Sequence, residues 1–534
     1  SHSSLTTHHN SLTTLSQLAT IRHHPSMFFQ LLLALLGGTL VYVFYVRSSP
    51  VPDPSGLDEL VSPPGWPLLG NLPAYANHSS KSHYVHELHA KHGDVILFKF
   101  LGFPIIVTSR PEHVRLILNE HLRDDAFVKI LSRVFGAGSV LVQEGPEWRV
   151  KRQLLNQGFH KNFMRTHVIE SVRLAERRLA ARLLAQIGEQ SGSATAVACA
   201  RLIRMDREFI QLTTAVIGLT TMDYSFHYLD ENQPKTEPVK DEYLPLFAEI
   251  IAETGRMFSN PLRPLTSPLT QLSFRAALRR VRSFLDDQIQ ARLDQPQRDR
   301  TDVLGILIDA LIQDKITREE LVDNLWTFVF AGADTTAHTM AYCLYYIASN
   351  PDVEKKLLQE INEVFDSPSA SEQEQDGASP LTFEQVNHLS YLRCIILESL
   401  RLRPIAVGSS RMIPAGSTLF TKTPLEKDCV ALVHYYSIHH NPDHWNDPER
   451  YDPDRHLPER ASQRHPYAFV PFGGGSHICV GQTMALLEAR FVLANFYWRG
   501  FRARLVPGHT YTNVDYFTMQ DEHGMPLQIS KVQA

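Results

Sequence analysis

Ten residues, Phe472-Gly-Gly-Gly-Ser-His-Ile-Cys-Val-Gly481, leave the chain around them little freedom in what it can build. Three consecutive glycines give a backbone that accepts positive φ and can pass close to a flat object without Cβ clashes. Cys479 stands on the rim of this loop, just before a helix expected from Gln482 onward. Free amide N–H groups and the helix dipole at that point favour thiolate over thiol. A lone thiolate beside a surface too close for side chains suits a metal ligand held against a flat prosthetic group. The alternative is a flexible turn around an inert, buried cysteine.

The rest of the composition narrows the classes. The chain has 534 residues, 43% of them hydrophobic and 20% charged, enough for one large core-bearing domain. A net charge of −5 leaves no electrostatic footprint for nucleic acid. The five cysteines (Cys199, Cys343, Cys394, Cys429 and Cys479) are scattered and odd in number, which argues against a disulfide framework. The first four read as small buried apolar residues. Although the chain holds 26 histidines, none falls into a His/Cys cluster with zinc spacing.

Along the chain, residues 1–26 are rich in Ser, Thr and His and read as a polar, unfolded tail. Residues 27–46, Met27 to Val46, carry no charge; at ~1.5 Å per residue they match the ~30 Å hydrocarbon layer of a bilayer. A transmembrane anchor fits better than a secretory signal, whose apolar region is shorter and ends in small residues. Arg22 and Arg47 flank it evenly, so charge does not orient it. Residues 47–73 are proline-rich and read as a semi-rigid hinge, followed by a globular domain at 74–534. Within it, Val95 to Thr108 reads as two strands around a Gly-Phe-Pro turn, Val168 to Ile187 and Phe274 to Leu293 as amphipathic helices, and Asp366 to Pro380 as a polar loop.

Thr317-Arg-Glu-Glu320 has capping-box form and opens a helical run that Pro351 ends, about 50 Å long. Its centre, Ala331-Gly-Ala-Asp-Thr-Thr336, suits an ordinary helix poorly, because Gly, Asp and Thr all weaken the ladder. A simple kink with self-satisfied hydroxyls is one reading. A site for oxygen and protons is the other, with the ladder opened and Gly332 giving a flat ring room to approach.

Taken in order, these motifs resemble the cytochrome P-450 family. The loop matches its haem signature through Phe472, Gly475, His477, Cys479 and Gly481, with His477 where Arg is commoner. The helix centre matches the family's acid–alcohol element, Glu398-Ser-Leu-Arg401 its Glu-x-x-Arg element, and Trp148-Arg-Val-Lys-Arg152 its Trp-x-x-x-Arg element. The resemblance implies a mainly α fold: one large domain with a long central helix and small β-sheets, preceded by the anchor. It implies haem b (iron protoporphyrin IX) with Cys479 as the iron ligand. Trp148, Arg152, Arg411 and His477 would meet the propionates, with Phe472, Gly475 and Gly332 beside the ring. Asp334 would relay protons and Thr335 would donate to the distal oxygen. Glu398, Arg401 and Arg450 would form a buried structural network.

The activity so implied is O₂ activation and insertion of one oxygen atom into a lipophilic small molecule. No flavin or dinucleotide module is present, so electrons would come from a separate NADPH–cytochrome P-450 reductase, with cytochrome b5 as a further candidate donor. The setting implied is the endoplasmic reticulum membrane, single-pass, with the catalytic domain facing the cytosol. Arg149 and Lys151 are candidates for a basic docking surface. Substrate contacts are expected from Ala126 to Val142 (Phe127, Leu131, Phe135), Phe328 to Thr336, Ile405 to Ser410 and Phe517 to Met519. The rivals are a hydroperoxide isomerase or dehydratase on the same fold, and a non-catalytic haem protein. Neither needs Asp334-Thr335.

Overall fold

The computed structural model describes residues 57–66, 69–188, 200–260, 263–295, 302–365, 379, 381–515 and 517–532. The tail at 1–26, the anchor at 27–46, most of the loop at 366–380 and Cys199 lie outside the described residues. Among the described residues, no helix is long and apolar enough to cross a membrane. From Leu57 onward the chain already packs on the domain: Leu57 is fully buried and Val61 bridges to Ile96.

Helices dominate, as expected, and small sheets flank them. The helices that build the site are α1 (Pro111–Glu120), α2 (Asp125–Phe135), α3 (Gly145–Gln157), α4 (Met205–Met222), α5 (Arg318–Ser349), α6 (Ser390–Leu402) and α7 (Gln482–Trp498). The expected helices appear at Ile169–Gly188 and Pro268–Leu293; the second starts earlier than its periodicity suggested, with Pro268 in the first turn where a missing N–H does no harm.

One sheet takes the order β1 (Val95–Phe100), β2 (Phe103–Thr108), β5 (Cys429–His434), β4 (Gly408–Ile413). β1 and β2 pair antiparallel, Val95 opposite Thr108, and the turn between them uses Leu101 and Gly102 at positive φ rather than Gly-Phe-Pro. β4 lies antiparallel to β5 with Arg411 opposite Ala431. A second sheet orders β3 (Arg201–Arg204), β9 (Pro526–Lys531), β6 (Phe501–Leu505), and β7 (Asn513–Asp515) pairs with β8 (Met519–Asp521) as a hairpin.

α5 runs through the middle. Thr317 accepts from the Glu320 N–H while the Glu320 carboxylate accepts from the Thr317 N–H, the full capping box, worth about 1 kcal/mol. The helix is continuous through 331–336, so the expected break in its ladder is absent. The hydroxyls there bond without unwinding it: Thr335 donates to the Ala331 carbonyl at 2.7 Å, Thr339 to Thr335 at 2.8 Å, and Thr213 of α4 to Ala333 at 2.8 Å. α4 is the main neighbour of α5, and Gly332 explains how it comes so near. A Cβ on Gly332 would lie 2.8 Å from Ile217 Cδ1. The close approach that Gly332 allows in the structure is thus to α4, a helix–helix contact and not the flat-ring contact expected from sequence.

Candidate active site

The loop around Cys479 is set by backbone geometry. Gly473 and Gly475 have φ of 75° and 66°, where a side chain is strained. A Cβ on Gly475 would lie 2.1 Å from the Leu118 carbonyl oxygen, so this glycine seats the loop on α1. The Cys479 N–H donates to the Phe472 carbonyl at 3.0 Å, closing the loop. Gly481 caps α7, and the N–H groups of Gly481 and Gln482 point at the Cys479 sulfur. Sγ is accessible yet lies deep among protein atoms, so it faces an opening inside the fold. Burial pushes this thiol above its ordinary range even though those N–H groups and Arg152 pull it down. The thiolate expected from loop and dipole alone thus needs more, and a coordinated metal cation supplies it by deprotonating the thiol outright.

A cationic cluster flanks the loop. Arg152 donates to the Ile478 carbonyl at 2.7 Å, the Trp148 ring lies 4.2 Å from the His477 ring, and His477 Nε2 is 2.9 Å from Glu144 Oε2. Arg411, 3% exposed on β4, donates to Ser409 Oγ at 2.6 Å and to the Ser410 carbonyl at 2.8 Å. Arg123, which the motifs did not flag, joins them and pairs with Glu144 at 3.5 Å. Burial and the nearby Arg411 and Arg152 push Arg123 down to about 10, with Glu144 pulling it back. Glu144 thus pairs with Arg123 and His477, and its charge reaches Arg411 together with that of Asp124. Two buried nitrogens, Arg411 Nε and His477 Nδ1, have no hydrogen-bond partner among the described residues. An uncompensated buried cluster of this kind is costly unless an anion completes it. A group with two carboxylates fits, so the residues present suit a haem with its propionates at Arg152, Arg411, His477 and Trp148 and its iron at Cys479. The signal for Arg123 is its place immediately before the cap of α2; that for Glu144 is its place at the cap of α3.

The centre of α5 supplies a different surface. Every residue from Leu321 to Leu344 is buried except Ala331, Gly332 and Thr335, and Ala331 and Thr335 are one turn apart on one face. Asp334, buried beside Thr335, accepts from Thr518 Oγ1 at 2.5 Å, and its other oxygen is 3.4 Å from His338 Nδ1. Burial works against its charge, but His338 and Thr518 outweigh that and hold the carboxyl below its usual range. Spacing alone could have found His338, at i+4 from Asp334; Thr518 comes from 184 residues away and carries no local signal.

An aromatic chain joins the expected substrate segments. Ring centroids step from Phe127 to Phe258 (5.6 Å), to Phe517 (5.8 Å), to Phe330 (5.5 Å) and to Phe135 (4.9 Å). Met519 N–H bonds the Ile405 carbonyl at 2.9 Å, tying two of those segments together. Phe135, the last ring of the row, and Leu131 are fully buried in the core.

The charge network is built as expected at Glu398–Arg401, two bonds of 2.8 Å between fully buried side chains. Its third partner is not the Arg450 side chain. Arg450 is exposed and offers only its carbonyl to Arg401, at 3.2 Å. Arg455 (3.4 Å) and His456 (3.0 Å) meet Glu398 instead, because the short helix Pro453–His456 packs against α6 and turns both inward. Lys151 is likewise not a docking residue: it is buried and bonded to Gln143 and Glu320, whereas Arg149 is exposed.

Comparison with known proteins places this geometry. The family model "Cytochrome P450" matches residues 61–518. Cytochrome P450 4F2 of Homo sapiens is 29% identical over 434 residues, 76% of this chain and 77% of its own. Cyclooctat-9-en-7-ol 5-monooxygenase of Streptomyces melanosporofaciens is 29% identical, covering 78% and 84%. The crystallised cytochrome P450DA haem domain superimposes with a TM-score of 0.74 at 19% identity, over 89% of this chain and 97% of that one. A thiol at the mouth of a glycine loop, a cluster of arginines beside it and a match of this extent lead to one conclusion: the chain belongs to the cytochrome P450 family, the haem b monooxygenases.

Proposed function

We propose that this enzyme takes electrons from a separate NADPH-dependent reductase and inserts one atom of O₂ into a lipophilic small molecule. The observation that carries this reading is the buried Asp334 next to Thr335 at the unburied patch in the middle of α5, a pair that neither an isomerase nor a haem carrier requires. Haem bound through a cysteine thiolate supplies the electron push that favours O–O cleavage. The chain's own residues do the rest. Arg152, Arg411, His477 and Trp148 orient the group by its propionates. Gly481 and Gln482 N–H groups bond the sulfur and temper its basicity. Thr335 turns its hydroxyl from the Ala331 carbonyl toward the open face, and Asp334, held by Thr518, hands on protons. The aromatic row Phe127–Phe258–Phe517–Phe330 excludes water and orients an apolar substrate.

A lipid-like substrate class is supported by the relatives' names: besides the cyclooctatenol enzyme, Leukotriene-B4 omega-hydroxylase 3 of Mus musculus is 29% identical over 73% of this chain. Residues 27–46 suit a single-pass anchor in the endoplasmic reticulum membrane with the catalytic domain in the cytosol, where the reductase and cytochrome b5 would meet it. The test is reductase-driven oxygen uptake by the haem-loaded protein with dodecanoic acid, leukotriene B4 and a cyclic diterpenoid alcohol as probes. Product formation with at least one, lost as peroxide in Thr335→Ala, is expected. Turnover of a hydroperoxide without reductase, or no oxygen uptake at all, overturns the reading.

A further inference from the structure

Beside the acid and the hydroxyl, α5 carries a third polar side chain in the same place. His338, 5% exposed, stands one turn beyond Asp334, its Nδ1 2.9 Å from the Asp334 carbonyl and 3.4 Å from Asp334 Oδ1. Thr518, in the β7–β8 turn, occupies the other carboxylate oxygen. From the opposite side α4 brings Asp206, whose charge also reaches His338. Asp206 is itself gripped by Arg204 of β3 at 2.9 and 2.7 Å and by the Met525 N–H at 2.8 Å. The Arg204 side chain is 37% exposed, with Asp521 of β8 beside it. Asp334 and His338 thus meet on α5, and the charge of Asp206, which is paired with the partly exposed Arg204, reaches His338 from α4.

We propose that His338 is a positioning residue for oxygen activation: its imidazolium fixes the Asp334 carboxylate beside Thr335 and restores the proton that Asp334 hands on. This rests on the reading of Asp334 as the proton relay. Each cycle moves one proton from His338 Nδ1 to the facing Asp334 Oδ1, leaves the imidazole neutral and takes one proton from solvent; no electron is transferred. Burial alone would discharge His338, but Asp334 and Asp206 outweigh it and hold its pKa up at about 9. The imidazole therefore stays charged over the working range and can return to that state after each transfer.

An inert ion pair would share this geometry, so the test uses variants that separate charge from shape. His338→Asn keeps a donor near the position of Nδ1 but cannot titrate. Holoenzyme with carbon-13-labelled histidine should show one imidazole protonated to about pH 9, missing in His338→Asn. Reductase-driven oxygen uptake with dodecanoic acid as probe should fall roughly tenfold in His338→Asn, with a larger solvent isotope effect and the haem spectrum unchanged. Asp334→Asn should fall further. If Asp334→Asn is impaired while His338→Asn keeps wild-type uptake and isotope effect, His338 is only structural and the proposal fails. If Asp334→Asn is itself unimpaired, the relay reading beneath it fails. Should His338→Asn not take up haem, wild-type uptake between pH 6.5 and 9 decides: a fall supports the proposal and a flat profile overturns it.

Discussion

The loop that presents Cys479 and the centre of α5 both hold polar atoms deep inside the fold, by opposite means. The loop is fixed by backbone: two glycines at positive φ, the Cys479 N–H on the Phe472 carbonyl and the capping N–H groups of α7. The bonds that shape its backbone lie within a few residues, while Leu118, Trp148, Arg152 and Glu144 meet it from elsewhere. The α5 centre is fixed by side chains from elsewhere: Thr518 on Asp334, Thr213 on the Ala333 carbonyl and Ile217 against Gly332. A backbone-built site tolerates little change. A side-chain-built site can change charge without changing shape, which proton traffic requires.

The largest effect falls on the loop. Cys479→Ala removes the sole ligand it offers, and the reduced carbon monoxide complex should lose the thiolate-type Soret band completely. Next comes the buried charge network around Glu398. Glu398→Ala leaves Arg401 and His456 buried without their acid, which destabilises by about 3–5 kcal/mol in urea unfolding. A loss below ~1 kcal/mol would mean that the network is ornamental.

Two glycines then pit one region against the other. Gly475→Ala combines φ of +66° with a Cβ 2.1 Å from a carbonyl oxygen, and neither can yield cheaply. A loss of ~2–4 kcal/mol is expected, with weakened haem retention. Gly332→Ala meets the Ile217 side chain, Cδ1 at 2.8 Å and Cγ1 at 2.9 Å, rather than backbone, and alanine regains ~1 kcal/mol of helix propensity. Its net effect should stay within about 1 kcal/mol. Equal losses at both would erase the distinction between a backbone-built and a side-chain-built site.

The same contrast decides what the sequence could disclose. Loop, cap and long helix rest on local chemistry, so Cys479, the Thr317–Glu320 box and α5 were readable to within a residue or two. The cationic cluster was half readable: Arg152, Arg411 and His477 sit in motifs, whereas Arg123 and Glu144 join only through the packing of α2 and α3 on β4. Arg450 was misread for Arg455 because both lie in one turn-rich stretch, and only the helix at Pro453–His456 decides which side chain faces Glu398. The role of Gly332 depended on α4, and nothing in the hexapeptide announces Ile217.

A pH profile sharpens the comparison further. His338 has its pKa raised to about 9 by Asp334 and Asp206 against burial, so its stabilisation is fully present below pH 6.5 and fades as pH rises toward 9. Asp334, held below its usual range, stays ionised throughout that window. His86, His89 and His434, which burial pushes down, act in the opposite sense and only below pH 6.5. Thermal stability should therefore fall between pH 6.5 and 8, by roughly 2 kcal/mol, and His338→Asn should flatten that slope.

Thr335→Ala should disturb stability least of all and chemistry most selectively. In the structure its hydroxyl makes one bond, to the Ala331 carbonyl of its own helix, a back-bond that adds almost nothing to an already satisfied ladder. Losing it should shift the unfolding midpoint by less than ~0.5 kcal/mol and leave the carbon monoxide spectrum intact. Because the hydroxyl lies on the unburied patch in the middle of α5, the same change should divert reductase electrons to peroxide, measured as peroxide formed per O₂ consumed. A variant as stable and as well coupled as the wild type would leave that stretch without a chemical task, and the centre of α5 would then be one more piece of packing.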